Sequence, residues 1–120
     1  MMAGSDGIYV GGKPHPRGTG CYARYMGHHV RNGDWTLEEA VMKCSYHAAR
    51  RYGLIDRGLL HEGFAADVVV FDPATIADRS TYDDGKPLAV GVEHVFVNGE
   101  AVLLNGERTK ALPGLGLKRR

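Results

Sequence analysis

Several features that mark specialised classes of protein are scarce in this 120-residue sequence. Its two cysteines, Cys21 and Cys44, are fewer than a secreted chain held by disulfides would usually carry. No stretch approaches the ~18 apolar residues of a membrane span, and the first residues lack the basic and apolar regions of a signal peptide. With 15 basic and 14 acidic side chains, the chain has no charge excess to attract nucleic acid or an anionic membrane. We therefore predict a cytoplasmic location, with no nucleic-acid or membrane partner.

Glycine, in contrast, is abundant, with 17 residues and no collagen-like period. Residues 1–20 are rich in Gly and Pro and are predicted to form a long loop, and loops of that length are usually functional or disordered. Residues 73–90 are polar and irregular. The basic end, residues 118–120, is predicted to be a solvated tail. The hydrophobic fraction of 43% is typical of a soluble, globular chain.

Two segments have helical spacing of apolar residues. Residues 21–32 are predicted to form a short helix. Residues 37–52 are predicted to form one longer helix, because Thr36 and Glu39 make a capping box before it. Gly53 is suited to the left-handed backbone that often ends a helix.

The second half of the chain has the patterns of strands. Residues 67–72 form a β-branched run that is typical of a buried strand. Residues 92–97 and 100–104 flank Asn98-Gly99, a strong signal for a hairpin with a type I′ turn. Asn105-Gly106 predicts a second turn. Helices followed by strands would make an α+β arrangement if the chain stood alone.

Three local patterns follow one another along the chain. They are Gly4-Ser5-Asp6-Gly7 with His15-Pro16-Arg17-Gly18, the helix from Leu37 to Gly53-Leu54 with Asp56-Arg57-Gly58, and the run from Glu62 to Pro73 with the later run from Gly91 to Gly99. In this order they resemble the C-terminal end of N-acyl-D-amino-acid deacylases (D-aminoacylases) of the amidohydrolase superfamily. The third pattern is typical of the superfamily as a whole. The first favours the D-aminoacylase branch.

The resemblance implies an α/β parent in which a (β/α)₈ barrel is joined to a small β-sandwich. Residues 1–55 would form the end of the metal-dependent barrel, with Gly4–Gly7 closing its eighth strand. Residues 56–120 would supply C-terminal strands of the β-sandwich and the tail. Active sites of such barrels lie at the C-terminal ends of the strands, which is where Asp6 would fall.

The resemblance assigns Asp6 the role of general base in zinc-dependent hydrolysis of an N-acyl-D-amino acid. A carboxylate beside a metal stays ionised and can still accept a proton in a dry site. Related branches of the superfamily act on hydantoins, dihydroorotate and other cyclic amides. Read without the resemblance, Ser-Asp-Gly is a simple turn in which Asp6 hydrogen-bonds its own backbone.

A zinc site needs three or four ligands, and those of the resembled family come from barrel segments that are not in this sequence. Asp6 could therefore contact a metal only together with ligands from elsewhere, and we expect this chain alone to bind no zinc and to be inactive. Cys44 is expected in the core, and Cys21 with His29 is an alternative metal-binding pair. His15 could lie near the mouth of the active site or order its loop.

A second hypothesis is a non-catalytic α+β module or remnant that binds a partner. The predicted strands leave unpaired edges, and such edges invite pairing with another chain. The chain could self-associate, or it could dock onto a separate barrel chain and complement it.

Overall fold

The computed structural model describes residues 1–118, so Arg119 and Arg120 of the predicted solvated tail lie outside the described residues. Helices occupy the first half of the chain and an antiparallel sheet the second, which confirms an α+β arrangement. The elements are α1 Arg17–Arg24, a π-helical turn Tyr25–His29, α2 Leu37–Cys44, α3 Tyr46–Tyr52, β1 Val68–Phe71, β2 Val92–Val97, β3 Glu100–Leu104 and β4 Glu107–Arg108.

The first helix begins earlier than predicted, at Arg17 instead of residue 21, and it continues directly into the π-helical turn. Pro16 precedes it with a helical φ of −51°, and proline is well suited to a helix start because its missing N–H would have no partner there. Gly18 and Gly20 are poor helix formers, which is why the sequence pattern predicted a loop across this turn. They are accommodated because other parts of the chain pack closely against them.

The predicted caps of the next helix are confirmed. The Thr36 side chain accepts a hydrogen bond from the Glu39 amide at 3.2 Å, and the Glu39 carboxylate accepts one from the Thr36 amide at 2.9 Å. At the other end Gly53 has a left-handed φ of 70°, and the Leu54 amide donates to the Ala49 carbonyl at 2.9 Å. This bond satisfies one of the carbonyls left free at a helix C-terminus.

The prediction of a single helix over residues 37–52 was wrong, because the helix is broken at Ser45. Ser45 has φ −122° and ψ −79°, and its hydroxyl donates to the Val41 carbonyl at 2.8 Å. Serine bonding back to the carbonyl four residues earlier competes with the helical ladder and bends helices. Gly58 packs against the break, since a Cβ there would lie 3.2 Å from the Ser45 carbonyl oxygen.

The sheet has the order β1-β2-β3-β4, with each neighbouring pair antiparallel. Strands predicted at 92–97 and 100–104 are confirmed, and β1 lies within the predicted 67–72. The prediction that this strand is buried was wrong, because β1 is an edge strand on which Val69 and Val70 are exposed. Asn98-Gly99 and Asn105-Gly106 each have two positive φ values, as a type I′ turn requires. The second turn leads into β4, a two-residue strand that the sequence patterns did not predict.

The segment Gly4–Gly7 forms no strand, and no strand precedes Val68 in residues 1–118. The family resemblance implied that this segment ends a barrel strand, whereas the Gly- and Pro-rich composition of residues 1–20 predicted a loop. A strand is defined by hydrogen bonds to its neighbours, and the barrel strands that would flank this one are not in the sequence.

Residues 73–90, between β1 and β2, form a long connection that we call the strap. Its base is held to the sheet by the Asp72 amide, which donates to the Gly91 carbonyl at 2.9 Å, and by a bridge between Ala77 and Val90. Ile76 of the strap is 3% exposed. The other buried apolar residues among those described are Ala23, Ala40 and Ala49, so the core is small.

No helix in the described part of the chain combines the length and apolar character needed to cross a membrane.

Candidate active site

Asp6 lies in the turn before α1 and has a left-handed backbone, with φ 47°. Aspartate tolerates this region better than most residues. The turn is closed by Ser5, whose hydroxyl accepts a hydrogen bond from the Gly7 amide at 3.3 Å. The Asp6 carboxylate instead points to Arg17, with Oδ2 3.2 Å from Nη2. The local sequence alone predicts a simple turn at Asp6, and it does not predict this ion pair with Arg17.

Arg17 is the first residue of α1, and its backbone amide donates to Nδ1 of His15 at 3.1 Å. The Arg17 side chain is 38% exposed and that of Asp6 is 82% exposed, so water screens their attraction and the pair contributes at most about 1 kcal/mol. The Arg17 Nε is buried, with no hydrogen-bond partner in residues 1–118.

His15 has a structural role in this arrangement. Its Nδ1 accepts the Arg17 amide hydrogen bond, so in the neutral ring the proton is on Nε2. The ring also makes an edge-on contact with Tyr82 of the strap, with centroids 5.1 Å apart. These contacts favour the loop-ordering interpretation of His15 over a direct role in chemistry.

Tyr9 joins the segment after Asp6 to the first turn of α1. Its hydroxyl donates to the Gly18 carbonyl at 2.6 Å, and a Cβ on Gly7 would lie 3.1 Å from the Gly18 Cα. Asp6 and Arg17 are therefore held together by close backbone packing as well as by charge. No sequence pattern pointed to Tyr9, and Arg17 stood out only as part of a motif. A cation directly after a proline at a helix start was the available signal.

The Cys21–His29 alternative gains no third ligand among the described residues. Nowhere in the described chain do three or more His, Cys, Asp or Glu side chains form a group able to hold a metal ion. His29 instead contacts Asp34, with Nδ1 2.9 Å from Oδ2. Burial raises the pKa of Cys44 from the ordinary 9.0 to about 11, so it remains a thiol at neutral pH and is a poor ligand.

Zinc is therefore not accommodated by these residues alone. Asp6 offers one exposed carboxylate, and a zinc site requires three or four donors. Cys44 and Cys21 are both half-buried and free. Cys44 therefore lies at the margin of the core and not inside it as predicted, and its partial burial is what raises its pKa.

Comparison with known proteins gives the wider context of this site. The profile of the amidohydrolase family matches residues 1–103. The D-aminoacylase of Alcaligenes xylosoxydans xylosoxydans is 46% identical over 102 residues, which are 84% of this chain and 21% of that protein. The N-acyl-D-glutamate deacylase of the same organism is 49% identical with the same coverage.

Solved structures agree with these relationships. A D-aminoacylase mutant in complex with CuCl₂ superimposes with a TM-score of 0.93 at 41% identity, over 98% of this chain and 25% of that chain. The N-acyl-D-glutamate deacylase of Bordetella bronchiseptica, complexed with zinc and a phosphonate inhibitor, gives a TM-score of 0.81 at 46% identity, over 84% and 22%.

The chain belongs to the amidohydrolase family. Within that family it is similar to D-aminoacylases and N-acyl-D-glutamate deacylases, so the relationship expected from the three motifs is confirmed. It spans about a fifth of the length of these curated relatives.

Proposed function

We propose that this chain is the C-terminal part of a zinc-dependent amidohydrolase that cleaves the amide bond of N-acyl-D-amino acids. Residues 1–55 would complete the (β/α)₈ barrel, and residues 56–120 would add strands to the β-sandwich. The observation that carries the proposal is the Asp6–Arg17 pair, 3.2 Å apart, in a chain 46% identical to a D-aminoacylase. Metal ligands would come from segments outside this sequence, and the relative from Bordetella bronchiseptica was solved as a complex with zinc.

In this proposal Asp6 is the general base. It accepts a proton from the attacking water while the water oxygen bonds to the acyl carbon. The amide C–N bond then breaks, and Asp6 returns the proton to the leaving amine. The products are a carboxylic acid and a free D-amino acid. Its neighbours Ser5 and Gly7 are small, so a substrate can approach closely.

Arg17 is proposed to bind the carboxylate that every N-acyl amino acid carries. A guanidinium matches a carboxylate with two parallel hydrogen bonds. Its exposed pair with Asp6 is weak and easily exchanged, so Nη2 can leave Asp6 for a substrate carboxylate. A substrate bound at Arg17 would lie within reach of the Asp6 carboxylate.

The surface of the chain supports the proposal that it acts only as part of a larger body. Its accessible area is 8411 Å², whereas a compact monomer of 13.1 kDa would expose roughly 6400 Å². The excess of about 2000 Å² equals a substantial protein interface. Exposed apolar side chains on the edge strand β1, Val69 and Val70, contribute to it. We therefore expect no deacylase activity from the isolated chain.

The same excess surface favours a second candidate function, in which the chain docks onto a separate barrel chain or onto a second copy. Mixing the chain with a relative that lacks the matching segment would then restore hydrolysis. If the mixture is no more active than either part alone and no complex forms, docking is excluded.

The primary test is a chimera in which this chain replaces the matching segment of the Alcaligenes D-aminoacylase. We expect the chimera to hydrolyse an N-acetyl-D-amino acid and to leave the L enantiomer intact. Asp6→Asn should lower kcat by roughly 10²- to 10⁴-fold, the usual contribution of a general base. Asp34→Asn, which removes an exposed carboxylate that contacts His29, is the matched control and should leave kcat unchanged. An inactive chimera, or equal activity in the two variants, would refute the assignment.

A further inference from the structure

The strap packs tightly against the helix that carries Arg17. At its start, the Arg31 guanidinium donates to the Ile76 carbonyl at 3.0 Å and to the Pro73 carbonyl at 3.2 Å. A Cβ on Gly27 would overlap the Ile76 carbonyl oxygen. The base of the strap is therefore fixed both to the sheet and to the π-helical turn.

The tip of the strap, residues 78–86, reaches the first turn of α1. The Ser80 hydroxyl donates to the Pro16 carbonyl at 2.9 Å. In the opposite direction, the Thr19 hydroxyl donates to the Gly85 carbonyl at 2.7 Å. Both hydrogen bonds are partly buried, so breaking either one leaves a carbonyl or a hydroxyl unsatisfied away from bulk water.

Close packing reinforces these two bonds. A Cβ on Gly20 would overlap the Ser80 hydroxyl and lie 2.9 Å from the Asp78 Cβ, and a Cβ on Gly85 would overlap the Pro14 carbonyl oxygen. The Asp78 carboxylate also pairs with Arg24, with Oδ2 3.2 Å from Nη1. The first turn of α1 cannot shift relative to the strap without losing these contacts.

We propose that the strap is a positioning element of the active site, and that Thr19 and Ser80 are positioning residues that hold Arg17 opposite Asp6. The strap links the β-sheet to the first turn of α1, whose first residue is Arg17. This inference rests on the roles proposed above for Asp6 and Arg17. Neither Thr19 nor Ser80 contacts the reacting atoms in this scheme.

The expected consequence is a change in substrate binding. Asp6 lies on a separate segment, joined to α1 through Tyr9, whereas Arg17 is part of the turn that the strap holds. Loosening that turn should therefore raise KM for the N-acyl-D-amino acid more than it lowers kcat.

The test compares two matched substitutions in the chimera. Thr19→Val removes a hydroxyl that donates to a carbonyl at 2.7 Å and keeps the shape of the side chain. Thr109→Val removes a partly buried hydroxyl that donates to the Ala101 carbonyl at the same distance, in the sheet region, and that also accepts from the Ala111 amide at 3.1 Å, so the control removes one hydrogen bond more. We expect KM to rise roughly threefold to tenfold for Thr19→Val, the effect of one lost hydrogen bond, and to be unchanged for Thr109→Val. Thr19→Ser, which keeps the hydroxyl, should restore the original KM.

Two further measurements separate positioning from general stability. In an Arg17→Met background, Thr19→Val should have no additional effect on KM, because the group being positioned is gone. Hydrogen exchange of the Gly18 and Gly20 amides, which donate to the His15 and Pro16 carbonyls, should be faster in Ser80→Ala than in the unchanged chimera.

The possible failures are distinguishable. If the unmodified chimera is inactive, the proposed function fails, and hydrogen exchange still reports whether the strap orders the turn. If the chimera is active but the two Thr→Val variants have equal KM, the strap does not position Arg17. An additive effect of Thr19→Val in the Arg17→Met background would likewise overturn the inference.

Discussion

Replacing Gly27 with alanine tests the packing of the strap against the helix. In most helices this substitution stabilises, because alanine exceeds glycine in helix propensity by about 1 kcal/mol. Here the added methyl group would overlap the Ile76 carbonyl oxygen and lie 3.0 Å and 3.1 Å from two nitrogens of the Arg31 guanidinium. This carbonyl belongs to Ile76, a buried residue that is 3% exposed, so it cannot easily move away from the added methyl group.

The magnitude follows from these contacts. Overpacking a filled site costs about 1–3 kcal/mol. Displacing Arg31 would weaken its hydrogen bond to Ile76, and a hydrogen bond to a charged group contributes about 1.5–3 kcal/mol before solvent screening. These losses exceed the propensity gain, so we expect a net destabilisation of roughly 1–3 kcal/mol.

Hydrogen exchange in the chimera measures this change locally. The Asn32 amide, which donates to the His28 carbonyl at 3.0 Å, should exchange roughly tenfold to a hundredfold faster in Gly27→Ala, since about 1.4 kcal/mol corresponds to a factor of ten. Gly12→Ala is the control, because no atom lies within 4 Å of a Cβ at that position. Unchanged or slower exchange in Gly27→Ala would show that the strap does not press on the helix.

Three other predictions concern the second half of the chain and the half-buried Cys44 thiol. The Arg57 side chain is 14% exposed and donates to the Asp67 carboxylate and, at 2.8 Å, to Asn98 Oδ1. Arg57→Met should lower the free energy of unfolding by about 1–2 kcal/mol, as measured by thermal unfolding. Equal stability of Arg57→Met and Arg57→Lys would contradict a two-point contact. Gly99→Ala places a side chain at φ +82°, where its nearest neighbour lies 3.9 Å away. The backbone strain, without any steric clash, should lower the free energy of unfolding by about 1–2 kcal/mol. An unchanged free energy of unfolding in the same assay would refute the type I′ turn. Burial raises the pKa of Cys44 from 9.0 to about 11, so as pH rises the thiol ionises in the unfolded chain before it ionises in the folded one. The free energy of unfolding should therefore fall as pH rises from about 9 to 11. Alkylation of Cys44 in the folded chain should be slow at pH 8 and accelerate toward pH 11. A folded-state thiol that alkylates as fast as the denatured chain at pH 8 would be inconsistent with that burial.

Features set by near neighbours in sequence were predictable. The capping box of Thr36 and Glu39 depends on two side chains three positions apart, and the two Asn-Gly turns depend on residues that tolerate positive φ. These interactions close within a few residues, so the local pattern contains all the information they need.

Features that depend on distant parts of the chain were not predictable. The break at Ser45 coincides with the packing of Gly58 against the helix. The early start of α1 depends on the strap, which fills the space beside Gly20. In both cases a residue with poor helix propensity packs against a residue that is distant in sequence. Helix propensity describes single residues and does not account for such tertiary contacts.

The sequence by itself determined the family, the capped helix start and the hairpin, because motifs and short-range spacing specify them. Asp6 became the candidate base only through the resemblance to that family. Only the tertiary structure decided that Arg17 lies against that carboxylate and that the strap closes over the first turn of α1. Both features depend on where two long loops pack against the first turn of α1. That position is set by close packing and hydrogen bonds between residues far apart in the chain, which local sequence patterns do not specify.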